Sequence, residues 1–330
     1  MARVPAADGP IDVTGIGNAI VDVLAHADEA ALARAGLVKG AMALIDEARA
    51  RELYAGMGQA VEVSGGSAAN TVAGLASLGG RAAYIGKVRD DQLGEVFAHD
   101  MRAVGVHFDT APSRDGASTA RCLVMVTPDA QRTMATFLGA CLGLGPSDID
   151  EALIARSQVT YLEGYLWDPP AAKEAFLKAS AIAQRAGKKT ALSLSDPFCV
   201  ERHRAEFLEL VQRHVDILFA NEREICALYQ CERLDDALAA VRGKCELSVV
   251  TRSEHGSLVF AGDETVTVPV VPVPAVVDTT GAGDLYAAGF LYGYTHGRSL
   301  SECGRLGALC AAEVISHVGA RPERTLRELL

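Results

Sequence analysis

The sequence predicts an α/β fold: a mainly parallel central sheet with helices on both faces, plus a small β-sheet lid. Three observations predict it. Strand-like apolar runs alternate with helical patterns for most of the 330 residues, which is the rhythm of βαβ units. Those runs are short and apolar almost throughout, as strands buried on both faces are. Two β-rich stretches break the rhythm and read either as ordinary edge strands or as a small sheet projecting from the main one. No linker rich in Pro, Gly or Ser divides the chain, and there is no internal repeat. The expected organisation is one domain over residues 1–330, with a lid from segments near 16–47 and 107–140.

Taken in order, DVTGIGNAIVDVLA (12–25) starts as a strand, and AMALIDE (41–47) is the first β-rich break. A helix through NTVAGLASLGG leads into the strand RAAYIGKV (81–88), and a second helix follows through QLGEVFAHDMRAVG. The long segment 107–140 is the second break, with turns at APSRDG and TPDAQ. QVTYLEG (158–164), KTALSLS (189–195), VDILFAN (215–221) and LSVVTRS (247–253) are buried-type strands, with helices such as PAAKEAFLKASAIAQRAG between them. Ligands of such sheets bind beyond the carboxyl ends of the strands. The loops GNAIVD, SGGSAAN, SDPF, NERE and TTGAGD are therefore the functional candidates.

Composition narrows the class. Apolar residues make up 49 % of the chain, enough for a large core. A net charge of -11 and a pI near 5.2 argue against nucleic acid and anionic membrane as partners. The eight cysteines are scattered without CxxC spacing, so neither disulfides nor a zinc cluster is expected. The N-terminus has no apolar core of signal-peptide length, and no run is long enough to span a membrane. A reduced cytoplasmic location is the expectation.

Several nucleotide fingerprints are absent. GIGNAI (15–20) departs from GxGxxG at Ile20, and Asp22 follows too closely to be the ribose acid of a dinucleotide site. Walker A and protein-kinase motifs are missing. The remaining loops each carry two readings. In VDTTGAGDLYAAGF (277–290), Thr279 or Thr280 caps a helix, or the N–H groups around Ala282 and Gly283 form an anion site. Asp284 among those donors would repel a phosphate unless it has a task beside it, such as taking a proton from an attacking hydroxyl. In SGGSAAN, Gly65 and Gly66 make a turn or admit a substrate to Ser67 and Asn70. Asp22, flanked by Val21, Val23 and Leu24, needs a partner, and a pair of sugar hydroxyls would suit it. Asn221 and Glu224 form a capping-box pattern or line a phosphate and magnesium site. TRSEHG (251–256) borders a nucleotide or is a hairpin turn.

The order SGGSAAN, NERE, DTTGAGD resembles the ribokinase-like (PfkB) family of carbohydrate and nucleoside kinases, from about residue 11 to about residue 322. Within it the chain is most similar to the adenosine kinases, through the spacing of Asn18 and Asp22 and through the run SLSDPF to VDILFANE. The resemblance implies a ribokinase-like fold and transfer of the ATP γ-phosphoryl group to a primary hydroxyl, first the 5′-OH of adenosine. It implies Asp284 as base and Gly281, Ala282 and Gly283 as the anion hole. Asn18, Asp22, Gly66, Ser67 and Asn70 would hold the ribose, with Arg132 swinging in from the lid to the phosphates. Asn221, Glu224, Thr251, Gly256 and Thr280 would border the nucleotide, Glu224 through Mg2+ and its waters. Asp278 with the turn 316–319 matches where some members bind K+. The aromatic that stacks on a base stays open among Tyr165, Trp167 and Phe137, with Leu166 and Leu138 beside them, so guanosine, inosine or a sugar stays open as substrate. A monomer or a homodimer is implied. A non-catalytic binding protein on the same fold is the rival from another class, and the intact Asp284 counts against it.

Overall fold

The computed structural model describes residues 9–129 and 131–330. Its strands are β1 (Ile11–Ile16), β2 (Ile20–His26), β3 (Met42–Leu44), β4 (Ala60–Gly65), β5 (Ala82–Ile85), β6 (Ala120–Val126) and β7 (Arg132–Phe137). There follow β8 (Ser157–Glu163), β9 (Lys189–Ser193), β10 (Ile217–Asn221), β11 (Leu247–Thr251), β12 (Ser257–Ala261) and β13 (Glu264–Val268). The helices are α1 (Glu29–Arg34), α2 (Glu47–Gly56), α3 (Ser67–Ser77), α4 (Gln92–Ala103), α5 (Glu151–Arg156) and α6 (Pro170–Arg185). The rest are α7 (Pro197–Arg213), α8 (Glu222–Tyr229), α9 (Leu234–Val241), α10 (Ala282–Thr295) and α11 (Leu300–Val314). No helix among the described residues is long and apolar enough to cross a membrane.

The main sheet has the order β13-β12-β11-β10-β9-β8-β1-β5, parallel from β11 to β5. Its parallel strands are largely apolar on both sides because both sides are covered. Val13, Tyr161, Phe219 and Val249 pack with α3, α10 and α11. Their neighbours in sequence, Leu162, Leu218, Ala220 and Val250, pack with α6, α7, α8 and α9. The chain leaves β1 toward β5 on one side and returns at β8 on the other. The carboxyl ends of β1 and β8 thus flank a topological switch point, where a ligand crevice is expected.

The second sheet has the order β3-β7-β6-β2-β4. One of its faces, with Val21, Val23, Leu123 and Met125, joins the main core. The other, with Ile20, Leu24, Cys122, Val124 and Met134, is a separate apolar layer. The run 12–25 is therefore not one strand: it breaks at Gly17–Ala19 and passes from the main sheet into the second. The strand before SGGSAAN also belongs to the second sheet, antiparallel to β2, and not to the parallel one. Only Met42–Leu44 of 41–47 is extended, because Asp46 caps α2 by accepting from the Arg49 N–H at 2.8 Å. In 107–140 the strands are confined to β6 and β7, and the turn expected at TPDAQ falls partly on residue 130, outside the described residues. The β12–β13 hairpin extends the main sheet beyond β11.

Candidate active site

A cavity of about 1120 Å3 lies between the two sheets, at the carboxyl ends of β8 to β11 and over the start of α10. That helix begins at Ala282, and its N-cap is Gly281, not a threonine. Gly281 has φ +77°, open to glycine at low cost, and Ala320 packs where a side chain would stand. The hydroxyl and N–H of Thr280 instead bond the Asp278 carboxylate, at 2.7 and 3.0 Å. The Ala282 N–H closes a turn onto the Thr279 carbonyl at 3.2 Å. Gly281 and Gly283 donate to no acceptor among the described residues, so this end of α10 keeps the donors and partial positive charge that attract an anion.

Asp284, in the first turn of α10, points across to α3. Its carboxylate accepts from Ser67 Oγ at 2.6 Å and from Asn70 Nδ2 at 2.9 Å. Burial raises its pKa, and the two hydrogen bonds and the Arg321 charge offset part of the rise. The result is a fixed carboxylate beside unpaired N–H donors, a combination with the chemistry to take up a proton next to an anion.

Asp22 lines the cavity from β2, opposite Cys122 on β6 and against Gly65. No hydrogen bond to it is formed by any described residue. Burial pushes its carboxyl up to about 6, against the pull of Arg132 and Arg321 and with the repulsion of Asp284. Gly66 is held at φ +93°, and a side chain there would run into the Asn18 carbonyl oxygen. Asn18 donates through Nδ2 to Glu163 at 2.7 Å. The amide oxygens of Asn18 and Asn70 are buried without a partner. Two unpartnered oxygens beside a carboxylate are a set of acceptors that suits a ligand with several hydroxyls.

Glu163, at the end of β8, went unread in the sequence. It lines the cavity and accepts from the Asn18 N–H at 3.2 Å and the Ala68 N–H at 2.8 Å. Burial raises it to about 7 despite those bonds. It joins the switch point to the start of α3. Its sequence signal was slight, a single acid closing an apolar run.

Asn221 and Glu224 line the cavity and form the full capping box. The Asn221 N–H and Nδ2 donate to Glu224 at 2.9 and 2.6 Å, and the Glu224 N–H donates back at 2.9 Å. Burial, aided by repulsion from Asp196 and Asp284, raises Glu224 to about 7 although the Asn221 N–H bond opposes it. Capping and ligand readings therefore share the same two side chains. No group of three or more His, Cys, Asp or Glu is clustered to hold a metal among the described residues. With its oxygens engaged by Asn221, Glu224 suits an Mg2+ ion held through waters. Thr251 and Thr280 line the cavity; Gly256 does not, and closes the hairpin turn by accepting from the Arg252 N–H at 2.8 Å.

Arg132, at the start of β7, lines the cavity but is paired with Asp278, whose carboxylate also accepts from the Gly319 N–H at 2.9 Å. Burial would raise Asp278, but the Gly319 and Thr280 bonds and Arg132 outweigh it and hold the carboxyl low. In this structure the Arg132 guanidinium is the cationic partner of Asp278. Of the aromatic candidates, Tyr165 lines the cavity and is 40 % exposed. Trp167 is core, packed on Phe176 and Phe207, and Leu166 is buried with it. Leu138 lines the cavity and Phe137 does not. Phe198, 71 % exposed at the N-terminus of α7, is a further aromatic lining it.

The model of the pfkB family carbohydrate kinases matches residues 41–326. The solved structure of adenosine kinase from Sinorhizobium meliloti is 56 % identical, with a TM-score of 0.91 over 97 % of this chain and 98 % of that one. A probable sugar kinase from Rhizobium etli CFN 42 is 50 % identical, with a TM-score of 0.91 over the same shares. Adenosine kinase of Saccharomyces cerevisiae is 27 % identical, over 92 % of this chain and 94 % of its own length.

Proposed function

This chain belongs to the pfkB family of carbohydrate kinases, and we propose that it transfers the γ-phosphoryl group of ATP to the 5′-hydroxyl of adenosine, giving AMP. That it phosphorylates a hydroxyl group follows from the family, as does ATP as donor. The choice of a nucleoside over a sugar is the finer step. The observation that carries it is the apolar part of the cavity lining. Tyr165, Leu138, Ile20, Val124 and Met134 line the same cavity as the acceptor set of Asp22, Asn18 and Asn70, and give it apolar and aromatic surface that a free sugar would leave uncovered. A purine would bury it, and stacking on one aromatic contributes about 1–3 kcal/mol. The likeness to an adenosine kinase at 56 % identity favours the same reading.

In this account Asp22 accepts the vicinal ribose hydroxyls, and the free amide oxygens of Asn18 and Asn70 accept others. Ser67 and Asn70 aim Asp284 at the 5′-hydroxyl, whose proton it takes as the oxygen attacks phosphorus. The N–H groups of Gly281, Ala282 and Gly283 receive the charge on the transferring group. Glu224 and Asn221 would hold Mg2+ through its waters, and the ion would supply charge neutralisation to the phosphates. Thr251 and Thr280 border the nucleotide. Arg132 would turn from Asp278 to phosphate when nucleotide binds, and Asp278 would then be the residue to hold a monovalent cation such as K+.

Phosphorus NMR of a reaction containing ATP, Mg2+ and adenosine tests this. The expected products are ADP and a nucleoside 5′-monophosphate in equal amounts. ADP formed only when ribose or fructose is added would replace adenosine with a sugar. The sugar reading has its own support in the 50 % identity to a probable sugar kinase.

A further inference from the structure

Arg321 lies beyond α11 and turns its guanidinium inward behind the cavity. Nε donates to the Ser64 carbonyl at 3.1 Å, Nη1 to the Ala69 carbonyl at 3.0 Å, and Nη2 to Ser64 Oγ at 3.2 Å and Met101 Sδ at 3.4 Å. All are neutral acceptors, and no carboxylate is within ion-pair reach among the described residues. A desolvated guanidinium without a paired anion is costly unless its charge is answered at longer range.

The bonded atoms explain where the answer comes from. Ser64, at the end of β4, and Ala69, in the first turn of α3, stand on either side of the Gly66 loop, and the segment around it touches both carboxylates of the site: Gly65 abuts Asp22, and Ser67 and Asn70 bond Asp284. The adjoining residues fasten the other wall, Ala320 against Gly281 and the Gly319 N–H on Asp278. We propose that Arg321 is a positioning residue for phosphoryl transfer, clamping this loop between Asp22 and Asp284 and supplying the positive charge that both carboxylates share.

The groups facing its guanidinium are Asp22 from β2, Asp284 from α10, Tyr84 from β5 and Asp100 from α4, the last accepting from the Ser64 N–H at 2.8 Å. Around Asp284 stand Asp22, Glu163 and Glu224, with Tyr161 and Tyr165. Arg132, the other cation near Asp22, is paired with Asp278. Arg321 is therefore the cation shared by Asp22 and Asp284, and it lowers the pKa of each against the upward push of burial. Removing its charge leaves two neighbouring acids to compete for ionisation.

This rests on Asp284 acting as the base, so Asp284→Asn is measured alongside. The readout is the pH profile of kcat/KM for the acceptor at saturating MgATP, with folding followed by circular dichroism. Arg321→Gln keeps some hydrogen bonds and loses the charge; its acid limb is expected to move up by about one pH unit, with at least a tenfold loss at pH 7. Arg321→Lys keeps the charge and is expected to hold the wild-type limb. A merely structural role would lower the unfolding temperature of both variants and leave both limbs in place. A folded Gln variant with an unmoved limb overturns the proposal, and so does a folded Lys variant with a displaced one. If Asp284→Asn retains near-normal turnover, the base assignment fails instead.

Discussion

Asp284 and Asp22 are two carboxylates in one cavity, and their surroundings separate them. Asp284 is held by two hydrogen bonds, whereas Asp22 is unpartnered and raised to about 6. Asp284→Asn should keep the fold and ATP binding while lowering kcat by roughly 10²-fold or more, the usual scale of general-base removal. Near-normal turnover by the folded variant would remove it from the mechanism. For Asp22, the folded pKa of about 6, against an ordinary carboxyl value of 3.8, favours the protonated folded form. That contribution to stability is fully present below about pH 4 and lost as pH rises through about 6. Asp22→Asn should therefore raise the unfolding midpoint at pH 7.5, by about 2 °C for each ~1 kcal/mol relieved. The same variant should raise KM for adenosine and leave that for ATP unchanged. A lower midpoint, or equal loss of both ligands, would contradict the role. These residues were legible because each belongs to a short glycine-containing motif, Asp22 to GNAIVD inside β2 and Asp284 to TTGAGD at the start of α10. Glu163 and Arg321 were not, since each is one polar residue whose partners lie far off in sequence: Asn18 is 145 residues from Glu163, and Ser64 is 257 from Arg321.

Among the elements, β7 and the loop before α10 are joined by the buried Arg132–Asp278 pair. This pair links the second sheet to the anion hole, since Asp278 also orders Thr280 and Gly319. Asp278→Ala would leave the guanidinium buried and unpaired, and a loss of about 3–5 kcal/mol in unfolding free energy is expected. Chemical denaturation measures it, and a loss below about 1 kcal/mol would show that the pair contributes little. The sheet to which each strand belongs was the least legible feature. AVEV reads as a strand before a Gly-rich turn in either sheet, and what assigns β4 is its pairing with β2, a long-range contact that no local pattern carries. Gly17 likewise gives no signal that the chain changes sheets there. Gly256 followed the same logic in reverse: its place at a strand end suggested a ligand, and its hydrogen bonds make a turn.

At the scale of the whole molecule, the sequence rhythm and the burial agree. Strands apolar throughout imply two covered faces, and the two large core clusters occupy those faces. The parallel order places β1 and β8 side by side, and the acceptors Asn18 and Glu163 meet there. The second sheet then closes the crevice with a largely apolar wall, the feature that separates a nucleoside from a sugar in this account. The decisive measurement is kcat/KM for adenosine against ribose and fructose at saturating MgATP. A preference for adenosine of at least ~10²-fold is predicted, the factor that about 2.7 kcal/mol of extra transition-state binding gives. Faster turnover of ribose or fructose than of any nucleoside would contradict it.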